Sequence, residues 1–258
     1  MKTTQSADGT QIAYDELGEG PAVIMLAGAF NDRATTAPLA AALAPRFTVL
    51  NCDRRGRGDS GDTQPYAVER EIEDIAALLD AAGGSASLFG YSSGAVLALE
   101  AAAAGVPIDK LALYEPPFIV DDTRPRPPAD LPEQVAALVE ADRRGDAVEL
   151  YQTKAIGLPE EVVVQLRNAP FRPGLEAIAH TLVYDAILTR DLTPTTERFG
   201  KVTEPTLVLG GGESWEFLRN GADALAEVLP NAERRTLPGE SHDINPEATA
   251  EALGEFLA

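Results

Sequence analysis

The chain has 258 residues, 45% hydrophobic and 24% charged, with 41 acidic against 21 basic side chains and a formal net charge of −20. That balance is expected of a globular chain. It argues against a nucleic-acid partner, since binding phosphates needs clustered Lys and Arg, and against an anionic membrane surface. Cys52 is the sole cysteine and His180 and His242 the sole histidines, which leaves no intrachain disulfide and no basis for a Cys- or His-built metal centre. No apolar run approaches the roughly 20 residues that span a bilayer, and Met1–Thr10 lacks the apolar region of a signal peptide. The expectation is a cytoplasmic, single-domain protein, monomeric or homodimeric.

Apolar runs and helical patterns alternate, as in a mostly parallel sheet covered by helices on both faces. Strands are predicted at Gln11–Glu16, Ala22–Ala27, Phe47–Asp53, Ser87–Gly90, Lys110–Glu115, Thr206–Gly210 and Glu233–Pro238. Helices are predicted at Ala37–Ala44, Val68–Ala82, Ser93–Ala104, Ala222–Leu229 and Pro246–Leu257. The alternation breaks once, between Pro116 and about Val202. There the proline-rich stretch Asp121–Pro132 reads as an extended arm, followed by helices at Leu131–Asp142, Asp146–Ala155 and Gly174–Leu188. Residues 1–116 and 202–258 are thus expected to form an α/β core, and residues 117–201 a helical lid, because α/β proteins place function in loops at strand ends.

Gly90-Tyr91-Ser92-Ser93-Gly94 carries the strongest chemical signal. It matches G-x-S-x-G between an apolar strand and a helix, the setting in which a sharp turn exposes a serine oxygen as nucleophile. A serine hydroxyl needs a base, and His242, just past the last strand, is the candidate. The third member of a triad orients the imidazole and stabilises its cation. Two carboxylates compete for that role: Glu115, at the tip of the strand after the nucleophile, and Glu213, in the turn after Thr206–Gly210. Ser214 fills the slot where an aspartate would ordinarily stand, and the reading favours Glu115.

Two backbone N–H groups should face the oxyanion of a tetrahedral intermediate. Ser93 follows the nucleophile, and Ala29 follows Gly28 in the loop after Ala22–Ala27. A substrate pocket is expected between this turn and the lid, lined by Phe30, Tyr91 and Trp215, with His180 and Tyr184 sharing one helix face at i,i+4 spacing. For His180 a satisfied helix position is at least as good a reading. Gly56–Gly61 formally matches the dinucleotide fingerprint G-x-G-x-x-G, yet Arg54 and Arg55 separate it from its strand and Pro65 follows closely. It reads as a structural turn whose arginine and aspartate side chains bond neighbouring loops. Gly210–Gly212 lacks the Lys-Ser/Thr of a phosphate loop. No cofactor and no metal are expected.

In these features, and in their order of nucleophile, acid and base, the chain resembles the α/β-hydrolase superfamily over nearly its full length. Ala27-Gly28 stands where that family usually has His-Gly, and the aspartate after Leu209 is missing, as in the subset whose acid lies one strand earlier. Tyr114-Glu115-Pro116 with the elbow is similar to zearalenone-type lactone hydrolases, and Glu115 matches the acid position of some haloalkane dehalogenases. Dehalogenases and epoxide hydrolases use an aspartate nucleophile, so Ser92 argues against both chemistries. The resemblance implies an eight-stranded, mostly parallel sheet with a helical cap, and hydrolysis of an ester or lactone of a small hydrophobic molecule through a Ser92 acyl-enzyme. C–C bond hydrolysis, polyketide tailoring or a non-catalytic small-molecule receptor are the alternatives on the same scaffold.

Overall fold

Short apolar runs that are buried on both faces require helices on each side of the sheet, and the computed structural model, which describes residues 1–258, has that arrangement. Its strands are β1 (Lys2–Gln5), β2 (Gln11–Leu17), β3 (Ala22–Leu26), β4 (Thr48–Cys52), β5 (Ser87–Tyr91), β6 (Leu111–Tyr114), β7 (Thr206–Gly211) and β8 (Ala232–Leu237). They form one sheet in the order β1-β2-β4-β3-β5-β6-β7-β8. β2 runs antiparallel to both β1 and β4, and every other pairing is parallel.

The helices outside the long β6–β7 connection are α1 (Arg33–Leu43), α2 (Val68–Ala81), α3 (Ser93–Ala103), α10 (Glu216–Val228) and α11 (Pro246–Leu257). Strand side chains alternate between faces. Val23, Met25 and Phe89 pack against Leu39 of α1 and Leu253 of α11. Ile24, Leu88 and Leu113 pack against Leu78 of α2, Val96 of α3 and Leu225 of α10. Between β6 and β7 there is no strand, only α4 (Leu131–Glu140), α5 (Arg144–Tyr151), a π-helical turn (Gln152–Ile156), α6 (Glu160–Leu166), α7 (Arg172–Ala177), α8 (Thr181–Leu188) and α9 (Thr196–Phe199). This insertion has a small core of its own, built on Leu131, Val135, Val148, Tyr151 and Leu182. No helix is long and apolar enough to cross a membrane.

The seven predicted strands are all present, and β1 is additional. Its sequence, Lys2–Gln5, has no buried face, so it shows no apolar alternation, and pairing with β2 is what makes it a strand. α1 starts at Arg33 rather than Ala37 because Asp32 caps it, accepting from the Ala34 N–H at 2.8 Å. The helix predicted at Gly174–Leu188 breaks at Ile178–His180 into α7 and α8, and the one at Asp146–Ala155 passes into the π-helical turn after Tyr151. α6 and α9 were not anticipated.

The carboxyl ends of β3, β5, β6 and β7 converge on one side of the sheet, where open α/β folds bind ligands. Leu113, fully buried in β6, supports that edge from below. Leu113→Ala should lower stability by about 2–5 kcal/mol, read as a drop in the urea unfolding midpoint.

Candidate active site

Ser92 sits between β5 and α3 at φ 55° and ψ −120°, a backbone conformation that is strained for any residue with a Cβ. Its N–H donates to the Tyr114 carbonyl at 2.9 Å, which ties the turn to β6. The flanking glycines are required by space. A Cβ on Gly94 would lie 2.3 Å from the Leu26 carbonyl oxygen, and one on Gly90 2.5 Å from the Ala95 Cα. The serine is thus pressed outward by backbone packed closely beneath it.

Glu115, itself at φ 48°, ends β6 and is almost wholly buried. Its Oε2 lies 2.6 Å from His242 Nδ1 and accepts from the Ser214 hydroxyl at 2.8 Å, while Oε1 accepts from the Gly211 N–H at 2.7 Å. These donors offset the hydration a carboxylate loses on burial. The His242 loop is anchored in turn, because the Tyr114 hydroxyl donates to the Ser241 carbonyl at 2.8 Å. The imidazole packs between Tyr91, with ring centroids 5.1 Å apart, and Trp215, at 5.8 Å and 23° between planes. Of the two competing carboxylates, the structure puts Glu115 against the ring. The Glu213 backbone N–H is engaged with the Glu240 carbonyl at 2.8 Å, and its side chain makes no hydrogen bond.

The backbone N–H groups of Ala29 and Ser93 have no acceptor within the chain. Their surroundings are held by a buried ionic network. Arg54 binds Glu71 through Nε and Nη2, both at 2.7 Å, and Asp185 through Nη1 at 2.9 Å. Arg57 donates from Nη2 to Asp185 at 2.6 Å and from Nη1 to the Gly28 carbonyl at 2.8 Å. The Ser93 hydroxyl donates to Asp185 at 2.8 Å. Burial alone would push the Asp185 carboxyl up; Arg57 and Arg54 outweigh it and hold the group below the usual carboxylate range. Arg57 within the expected turn Gly56–Gly61, and Arg54 just before it, therefore do bond neighbouring segments, the Gly28 loop among them. Glu71 and Asp185 escaped the sequence reading, although an acid inside the apolar run Thr181–Leu188 was the available signal.

A cavity of about 340 Å³ lies between the strand ends and the insertion, within the range of small-molecule sites. Ala29, Tyr91, Ser92, Ser93, Trp215 and His242 line its floor; Leu131, Tyr151, Ile156 and Ala186 line its roof. Ser92 Oγ and the imidazole share this floor without a hydrogen bond between them, and such bonds commonly tighten only when substrate is bound. Three expected lining residues lie elsewhere. Phe30 turns its ring edge-on to Tyr151 at 5.5 Å and packs into the insertion's core. Tyr184 stacks on Tyr66 at 4.0 Å and donates to Asp62 at 2.7 Å; His180 Nε2 is 3.8 Å from Asp62. His180 and Tyr184 do share a side, as their spacing implied, but that side meets the loop Asp62–Tyr66 instead of the cavity. No cluster of His, Cys, Asp or Glu is placed to hold a metal ion.

A sequence model described as "Alpha/beta hydrolase family" matches residues 23–253. The crystal structure of an alpha/beta hydrolase from Sphaerobacter thermophilus is 52% identical, with all of both chains covered and a TM-score of 0.94. The 2-(acetamidomethylene)succinate hydrolase of Mesorhizobium japonicum is 27% identical over 256 residues, 94% of this chain and 90% of that protein. The pimeloyl-[acyl-carrier protein] methyl ester esterase of Xanthomonas campestris pv. campestris is 27% identical over 262 residues, 95% of this chain and 98% of that protein.

Burial lowers the pKa of His180 against the pull of Asp62, so the folded state holds the ring neutral more firmly than the unfolded chain does. Stability is then full above the ordinary histidine value of about 6.5 and falls as the pH drops from there toward the lowered folded value. His180→Gln should flatten that stretch of a plot of urea midpoint against pH. An unchanged slope would place the proton uptake on other groups.

Proposed function

The chain belongs to the alpha/beta hydrolase family, and we propose that it hydrolyses a carboxylic ester or lactone of a small, largely apolar molecule through an acyl-enzyme on Ser92. One observation carries this reading: a buried carboxylate holds Nδ1 of His242 at 2.6 Å on the cavity floor that the strained Ser92 shares. The two 27% identical relatives, one named a hydrolase and one a methyl ester esterase, support it.

In this mechanism Nε2 of His242 takes the Ser92 proton as Oγ attacks the substrate carbonyl. Glu115 fixes the tautomer with the proton on Nδ1 and stabilises the imidazolium that forms. The N–H groups of Ala29 and Ser93 receive the oxyanion. The C–O bond then breaks as the imidazolium returns its proton to the leaving alkoxide. Water, deprotonated by the same imidazole, attacks the acyl-enzyme, releasing the acid and restoring Ser92. In a lactone the leaving hydroxyl remains attached to the acyl group. The insertion acts as a lid, its Leu131, Tyr151 and Ile156 excluding water from the reacting centre. An aspartate nucleophile has no counterpart at Ser92, which separates this chemistry from epoxide opening and dehalogenation.

A fluorophosphonate probe should label Ser92, located by peptide mapping, and Ser92→Ala or His242→Ala should remove most turnover of p-nitrophenyl esters while leaving the circular dichroism spectrum unchanged. Near-normal hydrolysis by folded Ser92→Ala would overturn the nucleophile assignment. Glu115→Gln should reduce kcat by orders of magnitude, toward about 10⁴-fold, because an amide neither stabilises the imidazolium nor enforces its tautomer. Glu213→Gln should cost little. The reverse ranking would return the acid to the turn after β7.

A further inference from the structure

Most arginines of this chain lie within reach of a carboxylate, and Arg46, Arg124, Arg126 and Arg219 are the four that do not. Arg33, Arg54, Arg55, Arg57, Arg172 and Arg190 each lie within 3.2 Å of a carboxylate oxygen, as expected where acids outnumber bases 41 to 21. Of the four without a carboxylate partner, Arg124 is the one that lines the cavity. Its one hydrogen bond runs from Nη2 to the Ala155 carbonyl, and its guanidinium carbon lies 4.5 Å from the centroid of the Phe217 ring. Nε is buried without an acceptor, whereas Nη1 makes no hydrogen bond and is not sealed off.

This guanidinium is partly desolvated, and burial lowers its pKa, with the Tyr151 phenol acting against the shift and no carboxylate doing so. Arginine nevertheless stays charged in proteins, so the cavity carries a cation without a counter-charge, an unfavourable state for the protein alone. No other group on the wall relieves it. Arg190 is engaged with Glu133 at 2.5 Å. Asp243, next to His242 in the chain, is the only acid lining the cavity, and it forms an ion pair with neither arginine.

We propose that Arg124 is an anion subsite of the cavity, and that the substrate is an ester or lactone bearing a free carboxylate at the far end of an apolar segment. This rests on the proposed ester hydrolysis and adds the substrate's charge to it. The carboxylate sits on the Nη1 edge while the scissile carbonyl sits at Ser92. The apolar lining of the cavity, which includes Pro127, Leu131, Ile156 and Leu218, suits a methylene chain or ring. One unpaired guanidinium matches one negative charge, and its planar N–H edge matches the two oxygens of a carboxylate. A phosphate, with more charge and more acceptors, would leave most of its oxygens unpaired here.

The test compares monomethyl esters of succinic to pimelic acid with neutral methyl esters of equal length, such as monomethyl adipate with methyl hexanoate. In the wild type the best monoester should exceed its neutral partner in kcat/KM by about tenfold or more, the scale of a hydrogen bond to a charged group. Arg124→Gln should bring that ratio near unity through the KM of the monoester, and Arg124→Lys should retain part of it. Calorimetry with free adipate supplies an arm that needs no turnover: the wild type should bind it and Arg124→Gln should not. Absence of any preference in the wild type at every chain length, or a preference that survives Arg124→Gln, would overturn the subsite. If no ester is turned over, the hydrolase reading fails by itself. Adipate binding then decides the subsite: loss in Arg124→Gln supports it, and equal binding or none overturns it.

Discussion

The buried carboxylate of Asp185 is the point on which the site's geometry depends. Arg54 and Arg57 reach it across sequence separations of 131 and 128 residues, and through them the insertion is bonded to the core. Removing charges from water is expensive, and breaking such a network by deleting one partner leaves an uncompensated buried charge. The return is positional. The network grips the Gly28 carbonyl and the Ser93 hydroxyl, which flank or belong to two cavity-lining residues, Ala29 and Ser93, whose N–H groups have no acceptor within the chain. A shift of α8 would therefore be transmitted directly to both.

A second constraint fixes the His242 ring. The turn after β7 has little side-chain volume, and Glu115 fills the space from the neighbouring strand. Gly211 donates its N–H to Oε1 and Ser214 its hydroxyl to Oε2. A Cβ on Gly211 would fall 2.2 Å from the Glu240 carbonyl oxygen, inside the loop that carries His242. A carboxylate at position 214 would point a second negative charge at Glu115, so the serine there and the acid on β6 form one coherent choice. Within the run Gly210–Gly212, which has no phosphate-loop chemistry, this packing accounts for Gly211, whereas a Cβ on Gly212 would meet only ordinary contacts at 3.5 Å or more.

What could be read from the sequence was local. The parallel strands announce themselves as short buried runs, and the elbow as a glycine-flanked serine between a strand and a helix. Glu115 was legible because a strand tip beside the nucleophile constrains where its carboxylate can go. β1 was not, since a strand with no buried face carries no alternation. The i,i+4 spacing of His180 and Tyr184 said correctly that they share a side, but not which neighbour that side meets, and Asp62–Tyr66 is too distant in sequence to signal itself. Asp185 and Arg124 were invisible for the same reason: one is defined by its arginine partners 131 and 128 residues away, the other by the lack of any carboxylate partner.

The net charge of −20 and a cavity that attracts an anion are compatible, because they act over different distances. At 0.1 M salt, surface charges are screened beyond about 10 Å, whereas a partly desolvated guanidinium acts at contact. The surface field therefore does not cancel the pairing at Arg124. Hydrolysis then changes the balance inside the cavity. In the proposed reaction the substrate enters with one carboxylate, and cleavage of its ester or lactone creates a second one beside Ser92, in the cavity that Asp243 also lines. The wall offers one unpaired cation for two anions, so the acid product is held less well than the ester it came from. An arginine without an acid partner and an aspartate in the same cavity would thus favour binding before the proposed reaction and release after it.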